Sequence, residues 1–169
     1  LLGNWSDYKF PSLAHYNAAF DAAPAACNVA MLIGHTTLRA GVMKDFNRAA
    51  TKVEIDIMLK GLEQCLNFGA IGLSTGLAYP TAFHAPTEEV IELARSLKSF
   101  NALYATHMRN EEGKLIEAVD ETIDIAKQTG ADTVISHHKC AGRANWGKSK
   151  KTLARIAQAQ KGINLNFDV

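Results

Sequence analysis

The chain has few cysteines, and their spacing is not that of a cross-linked or metal-clipped protein. Among 169 residues there are only Cys27, Cys65 and Cys140. The number is odd and no C-x-x-C pair occurs, which argues against a disulfide framework and favours a reducing compartment. We therefore expect a cytoplasmic location.

An excess of charge of one sign is also missing. The formal net charge is +1, charged residues make up 21% of the chain, and no basic run is interleaved with aromatics. No segment approaches the roughly 20 apolar residues that cross a bilayer. We therefore expect neither nucleic acid nor a membrane as a partner. The hydrophobic fraction of 47% is ordinary for a globular domain with its own core.

What the sequence does contain is a regular alternation of strand-like and helix-like segments. We predict strands at 27–35, 70–75, 103–107, 133–137 and 163–169, after a short helix at 13–22. Helices are predicted from Thr51 to about Phe68, from Thr87 onward, over the apolar stripe Leu115, Val119, Ile123 and Ala126, and around Leu153 to Gln160. Thr51 and Glu54 form a capping-box pattern, and Thr87 is a second candidate cap. Such alternation predicts parallel strands joined by helical crossovers.

Two folds fit this alternation. A doubly wound open sheet can be complete with five strands, whereas a (β/α)₈ barrel needs eight. The strand count by itself slightly favours the open sheet. No glycine-rich phosphate loop follows any predicted strand, which argues against a nucleotide-binding version of that sheet.

Two histidines end predicted strands in the same way. His107 closes Tyr-Ala-Thr-His, and His137 closes Val-Ile-Ser-His. Because functional groups gather at the carboxyl ends of parallel strands, these imidazoles are candidate zinc ligands. Strand alternation places Lys139 on the side of His137 and turns His138 toward the helices. Two histidines are an incomplete site, since catalytic zinc usually has three protein ligands.

The remaining candidates are weaker. His35 ends the first predicted strand, where it either supports the site or pairs with the backbone. Arg109 shares the predicted face of His107 and is a candidate contact for an anionic substrate. We expect Cys27 and Cys65 in the core and His84 in a loop without a role.

Six stretches together carry a resemblance to a known family. They are Gly34–Arg39 (GHTTLR), Gly69–Pro80 (GAIGLSTGLAYP), Tyr104–Arg109 (YATHMR), Ile135–Lys139 (ISHHK), Gly142–Gly147 (GRANWG) and Phe167–Val169 (FDV). In this order the set resembles the D-aminoacylase, or N-acyl-D-amino-acid deacylase, family of the amidohydrolase superfamily. The resemblance covers nearly the whole chain.

The resemblance implies a metal-dependent hydrolase with a TIM-like (β/α)₈ barrel. Residues 1–169 would form a single partial barrel domain, with the five strands as strands three to seven and the flanking β-sandwich domain outside. Zinc would be the cofactor, held by His107 and His137. Tyr79 and Lys139 match family positions that contact the α-carboxylate of the substrate.

The same resemblance implies that parts of the active site are missing from this chain. The His-x-His pair of the first strand, a cysteine ligand and the proton-shuttling aspartate of the eighth strand do not occur, and Asp168 belongs to the seventh-strand motif. The intact enzyme would hydrolyse an N-acyl-D-amino acid to a D-amino acid and a carboxylate. We expect the chain alone to be inactive, and its partners to be the remainder of the barrel or a second copy meeting its open sheet edges.

Two alternatives stay open. One is a cyclic amidase of the dihydroorotase or hydantoinase kind, which typically bridges two metals with a carboxylated lysine on the fourth strand. The segment 70–76 has no lysine, which argues against this alternative. The other is a doubly wound binding module that has no metal and no catalytic activity.

Overall fold

Residues 10–169 are described by a computed structural model, and within them the chain forms six α-helices and five β-strands. The helices are α1 (Leu13–Ala22), α2 (His35–Val42), α3 (Lys52–Asn67), α4 (Thr87–Ala94), α5 (Leu115–Thr129) and α6 (Ser149–Ala159). The strands are β1 (Leu32–Gly34), β2 (Gly72–Gly76), β3 (Leu103–His107), β4 (Asp132–Ile135) and β5 (Leu165–Phe167). The predicted single partial barrel domain, residues 1–169, includes residues 1–9, which lie outside the part of the chain that the structure describes. Among residues 10–169, no helix combines the length and apolar character that a bilayer crossing requires.

The five strands form one parallel sheet in the order β1-β2-β3-β4-β5. Each crossover therefore advances by one strand in the same direction, and α2 to α6 pack against one another in chain order. A doubly wound sheet reverses this direction at a switch point and places helices on both faces. The strand order therefore argues against the open sheet and for barrel-type winding.

The core lies between the sheet and this helical layer. Leu73 of β2 and Tyr104 of β3 pack with Leu62 of α3 and Leu93 of α4, and all four are fully buried. A second cluster joins the other end of the sheet to α5 and α6; it includes Leu115, Val119, Ile135, Ile156 and Leu165. These apolar contacts are on the helix side, and the polar groups of the candidate zinc site lie at the carboxyl edge of the sheet.

Several local signals are confirmed. Helix α1 has the predicted bounds, and so does β3. At the start of α3, Thr51 Oγ1 accepts the Glu54 N–H at 3.3 Å, while the Glu54 carboxylate accepts the Thr51 N–H at 2.8 Å. Helix α5 ends before Gly130, whose φ of 64° is a left-handed conformation that favours glycine.

The first predicted strand is wrong in length. Only Leu32–Gly34 is a strand; Cys27 is exposed rather than in the core, and His35 starts helix α2. Strand β1 pairs with β2 alone. Since the segment before Leu32 has no second neighbour in the sheet, its apolar sequence is not sufficient to extend the strand.

Three further boundaries differ from the prediction. Pro86, not Thr87, is the N-cap of α4, because the Thr87 hydroxyl donates to Glu121 at 2.8 Å. Strand β4 stops at Ile135, two residues before His137. Strand β5 covers 165–167 only. The carboxyl edge of the sheet is thus made partly of turns that follow the strands.

Candidate metal centre

The candidate site lies at the carboxyl edge of the sheet, where β2, β3 and β4 end side by side. His107 is the last residue of β3 and is paired in register with Gly76, the last residue of β2. His137 follows β4 in a turn whose Ser136 N–H donates to Thr106 O at 3.0 Å. The structure therefore brings the two strand-end histidines together, as the sequence predicts.

The sequence correctly places Lys139 beside His137 and turns His138 toward the helices, but strand alternation is not the cause. Thr133 and Ile135 are buried on the helix side of β4, so simple alternation would send His137 there as well. His137 instead has a φ of 42°, a left-handed conformation that reverses its direction. Lys139 consequently lies beside it, and His138 turns to the helices.

Asp168, at the end of β5, supports this left-handed turn. Its carboxylate accepts the N–H of His137, and its main-chain oxygen accepts the N–H of His138 at 2.7 Å. His138 is buried against α6, where its Nε2 lies 2.9 Å from Thr152 Oγ1. Burial lowers the pKa of His138, so this ring stays neutral in the core. Asp168 therefore has a structural role that the sequence analysis did not assign.

The two imidazoles of the site face each other. His107 Nδ1 lies 3.0 Å from His137 Nε2, and the ring centroids are 4.7 Å apart. Two nitrogens on one tetrahedral zinc ion, each bonded at about 2.0–2.1 Å, are about 3.3 Å apart. The observed separation is within a few tenths of an ångström of that value.

Glu111 adds a carboxylate that the sequence analysis missed. It follows β3 in a loop, four residues after His107, and one of its oxygens lies 3.0 Å from His137 Nδ1 and 3.9 Å from His107 Nδ1. Donor atoms of these three side chains lie within 4.8 Å of one another. The only sequence signal for Glu111 is that a carboxylate lies four residues after His107. Two imidazoles and a carboxylate form a donor set that suits zinc.

The surroundings of His107 favour the neutral form of its imidazole, with burial as the largest cause. Burial lowers the pKa of His107, and the nearby His137 and Lys139 lower it further, while Glu111 acts in the opposite direction. The neutral ring is the form that binds a metal ion. Lys139 Nζ lies 2.6 Å from the Glu111 carboxylate and 2.8 Å from His137 Nδ1, although its side chain is 49% exposed. An ammonium group therefore stands at the solvent side of the donor set.

Tyr79 covers the other side of His107. It lies in the loop after β2, is 54% exposed, and its ring centroid is 5.0 Å from that of His107 at an angle of 32°. The structure thus gathers His107, His137, Lys139 and Tyr79 at one place. A phenol and an ammonium next to a metal-type donor set form a surface suited to an anionic ligand.

Two other candidates are not part of this group. His35 is fully buried and its Nε2 lies 2.9 Å from Glu89 Oε1, so it pairs with a carboxylate and not with backbone. Arg109 is turned away from the site, because its guanidinium binds Glu121 and the main-chain oxygen of Phe83. These contacts do not support the expected contact of Arg109 with an anionic substrate.

Known proteins share this sequence and arrangement, although no protein-family model matches the chain. The D-aminoacylase of Alcaligenes xylosoxydans xylosoxydans is 44% identical over 168 residues, which cover 99% of this chain and 35% of that protein. A crystal structure of a D-aminoacylase, reported to define a novel subset of amidohydrolases, superposes with a TM-score of 0.93 at 45% identity. The superposition covers 95% of this chain and 34% of the D-aminoacylase chain.

The third relative was crystallised with a metal ion. N-acyl-D-glutamate deacylase from Bordetella bronchiseptica, complexed with zinc and a phosphonate mimic of the tetrahedral intermediate, superposes with a TM-score of 0.92 at 40% identity. That match covers 95% of this chain and 34% of the deacylase. The chain thus spans about a third of the length of the relatives it matches. Together with the strand order, these superpositions confirm a segment of an amidohydrolase barrel.

Proposed function

Because the chain belongs to the D-aminoacylase family of the amidohydrolase superfamily, we propose that it supplies part of an active site that hydrolyses N-acyl-D-amino acids. The products are a D-amino acid and a carboxylate. The observation that carries this proposal is the pair of strand-end imidazoles, His107 and His137, with ring nitrogens 3.0 Å apart beside the Lys139 ammonium. Residues 1–169 act in it as one part of a barrel domain.

His107 and His137 are the proposed zinc ligands, through the two ring nitrogens that face each other. The Glu111 carboxylate contacts the other ring nitrogen of His137 and lies within 4.8 Å of the donor atoms. Their chemistry supports this role, since neutral imidazole and carboxylate oxygen are both common zinc donors. When bound, zinc supplies Lewis-acid chemistry that polarises an amide carbonyl and activates water. The zinc in the deacylase of Bordetella bronchiseptica supports the choice of metal.

Lys139 and Tyr79 are the proposed contacts for the α-carboxylate of the substrate. The Lys139 ammonium is paired with Glu111, and it is half exposed, so a substrate carboxylate can replace that partner from the solvent side. A lysine acts here as a point charge, and the Tyr79 phenol adds a directional hydrogen-bond donor. Both groups orient the amide relative to His107 and His137.

The chain is proposed to lack the group that transfers the proton to the leaving amine. Asp168 does not fill that role, because its carboxylate accepts the His137 N–H. The isolated 169-residue chain is therefore expected to bind zinc without turning over substrate. Steady hydrolysis of N-acetyl-D-methionine by this chain would contradict the proposal.

Zinc binding tests the ligand assignment directly. His107→Ala and His137→Ala are each expected to weaken zinc binding by more than about 100-fold. Loss of a residue that only hydrogen-bonds a metal ligand typically weakens binding by about 10-fold to 100-fold. His84→Ala is the matched control, because His84 is an exposed histidine that does not belong to the donor group of His107, Glu111 and His137. Calorimetric titration with zinc measures the change. Unchanged binding in either site variant, or equal losses in His84→Ala, would refute the assignment.

The alternatives from the sequence find less support. Strand β2 reads Gly-Leu-Ser-Thr-Gly and offers no lysine to bridge two metals, which argues against a cyclic amidase. The strand order argues against a doubly wound binding module.

The proposed partner of this chain is the remainder of the barrel, or a second copy of the chain that meets the sheet edges β1 and β5. The cytoplasmic proposal is supported by Cys27, Cys65 and Cys140, which are all free thiols.

A further inference from the structure

The loop that carries Tyr79 is held from two sides by arginine side chains. This loop, residues 77–86, connects β2 to α4. Arg39, from α2 on one side, donates through Nε to Thr81 O at 2.8 Å. Arg109, after β3 on the other side, donates to Phe83 O at 2.8 Å and to Ala85 O at 2.9 Å. Three carbonyls of one short loop thus have guanidinium donors.

The first arginine is itself fixed by a buried carboxylate. Arg39 Nη1 lies 2.5 Å from Glu89 Oε1, and both side chains are completely buried. Glu89, in α4, also contacts His35 at 2.9 Å and accepts the Ala50 N–H at 3.0 Å. The hydrogen bonds from His35 and Arg39 keep the pKa of Glu89 below its ordinary value although burial acts in the opposite direction. An ionised Glu89 therefore anchors Arg39 beneath the loop.

The second arginine is anchored in the same manner. Arg109 makes a two-pronged contact with Glu121 of α5, with Nη2 at 2.7 Å from Oε1 and Nε at 2.9 Å from Oε2. Glu121 Oε1 also accepts the Thr87 hydroxyl at 2.8 Å, just beyond the end of the loop. Each arginine thus joins one glutamate on a helix to carbonyls of the loop.

We infer that Arg39–Glu89 and Arg109–Glu121 are positioning pairs that fix the 77–86 loop and thereby hold Tyr79 over His107. The inference rests on the proposed function for the role of Tyr79 in binding substrate. Neither arginine touches the site. Both act through the loop backbone, which determines where the Tyr79 ring lies.

The shape of the guanidinium explains why arginine is used at both places. A planar fork can contact a carboxylate with one edge and carbonyl oxygens with another, whereas a lysine ammonium has no fixed fork. Within the loop, Tyr79 O accepts the N–H groups of Ala82 and Phe83 at 2.9 and 2.8 Å, and Ala82 O accepts that of Ala85 at 3.0 Å. These turns join the loop to itself, whereas the arginines join it to helices α4 and α5. The arginine contacts therefore supply much of what keeps this loop in one conformation.

The tests compare Arg109→Met and Arg109→Lys with Arg155→Met in the zinc-loaded full-length protein, meaning residues 1–169 together with the proposed remainder of the barrel. Arg155 of α6 forms a half-exposed ion pair with Asp120 of α5 and, within residues 10–169, makes no hydrogen bond to the loop, so it controls for the loss of an arginine. Arg109 is chosen over Arg39 because its side chain is partly exposed, and its removal leaves no fully buried charge behind.

The first readout is amide hydrogen exchange at Ala82 and Phe83. In Arg109→Met these amides are expected to exchange about tenfold faster or more, because the loop opens locally when it loses its charged donors. Arg109→Lys is expected to give the same increase while keeping the charge. Exchange unchanged in both variants, or raised equally by Arg155→Met, would overturn the inference.

The second readout separates this inference from the proposed function. For N-acetyl-D-methionine, Arg109→Lys is expected to raise KM about tenfold with kcat within about threefold and zinc content unchanged, since only substrate positioning is lost. An equal fall in kcat and zinc content would overturn a positioning role. Absence of deacylase activity in the unmodified protein would refute the proposed function, while the exchange measurement would still decide whether the pairs fix the loop.

Discussion

At the scale of single residues, Gly76 determines whether Tyr79 can lie over His107. A Cβ atom at Gly76 would lie 2.6 Å from Cδ2 and 2.8 Å from Cε2 of the Tyr79 ring. Both distances are shorter than carbon atoms tolerate, so the ring must move if a side chain is added. The absence of a side chain at the end of β2 is thus part of the candidate site.

Gly76→Ala is therefore expected to displace the Tyr79 ring without unfolding the sheet, because the obstacle is a flexible side chain and not backbone. In the full-length protein we expect KM for an N-acyl-D-amino acid to rise by about threefold to tenfold, as when positioning is lost. Nuclear Overhauser contacts between the Tyr79 and His107 rings report the displacement.

The matched control for this prediction is Gly41→Ala. Gly41 lies in α2 and has nothing within 4 Å of a built Cβ, so alanine there is expected to leave the ring contacts unchanged and to stabilise the helix by about 1 kcal/mol. Ring contacts that persist in Gly76→Ala would show that Tyr79 does not depend on this glycine.

The sequence predicts His107 and His137 at one site because each follows a buried strand-like run, which is a local feature. Lys139 is also predicted there, but the left-handed turn at His137, and not strand alternation, places it beside the pair. The sequence does not predict Glu111, whose position depends on a loop turn in which Asn110 Oδ1 accepts two backbone N–H groups. It does not predict the hydrogen bond from the His137 N–H to the Asp168 carboxylate either, since that contact joins residues 31 positions apart in the chain.

At the scale of elements, the start of α3 is held by a cluster of local contacts. The Glu54 carboxylate binds Arg48 through two hydrogen bonds of 2.7 Å and also accepts the Thr51 N–H. These contacts, with Arg48 as the largest cause, lower the pKa of Glu54 from 4.5 to about 2. Because the folded pKa is depressed, this stabilisation is present above pH 4.5 and is lost as the pH falls through about 2.

Glu54→Gln is therefore expected to lower the melting temperature at pH 7, and the difference from the unmodified chain should shrink as the pH falls from 4.5 toward 2. Thermal unfolding followed by circular dichroism at several pH values measures this difference. Asp56→Asn is the control on the same helix, because Asp56 makes only an exposed contact with Lys52. A difference that stays constant over this pH range would contradict the assignment to Glu54.

Elements with strong local signals are predicted well, and elements made by tertiary contacts are not. Helix α3 has its capping box, and α5 has an apolar stripe that stops at Gly130, so their positions follow from the sequence. Helix α2 is not predicted, because it is stabilised by the burial of Arg39 against Glu89, 50 residues away. Strand β1 is predicted too long because an edge strand has a partner on one side only.

At the scale of the whole molecule, the sheet has two edges among the described residues. Strand β1 pairs only with β2, and β5 pairs only with β4. Unpaired strand edges are templates for association with another chain. The isolated 169-residue chain is therefore expected to self-associate, which light scattering after size-exclusion chromatography measures as a mass above that of one chain.

A charge placed on the edge tests this expectation. Leu32→Lys adds a charge to β1, where the side chain is 37% exposed, and should reduce the associated fraction. Val53→Lys changes an exposed residue of α3, away from both edges, and should leave association unchanged. A chain that stays monomeric at high concentration would contradict the open-edge account.

The choice between an open sheet and a barrel is a property of the whole molecule that the local sequence does not contain. Alternating strands and helices predict the β/α class correctly. The direction of winding depends on which strands pair, and the order β1-β2-β3-β4-β5 decides it for the barrel. The number of predicted strands favours the wrong fold, and the family resemblance favours the right one.

The claim on which the account depends most is that His107 and His137 hold one zinc ion between them. Anomalous diffraction at the zinc absorption edge, from crystals of the zinc-loaded protein, tests it most directly. The account predicts a single peak about 2.0–2.1 Å from a ring nitrogen of each histidine. A peak elsewhere, or two rings joined only by a hydrogen bond with no peak between them, would contradict it.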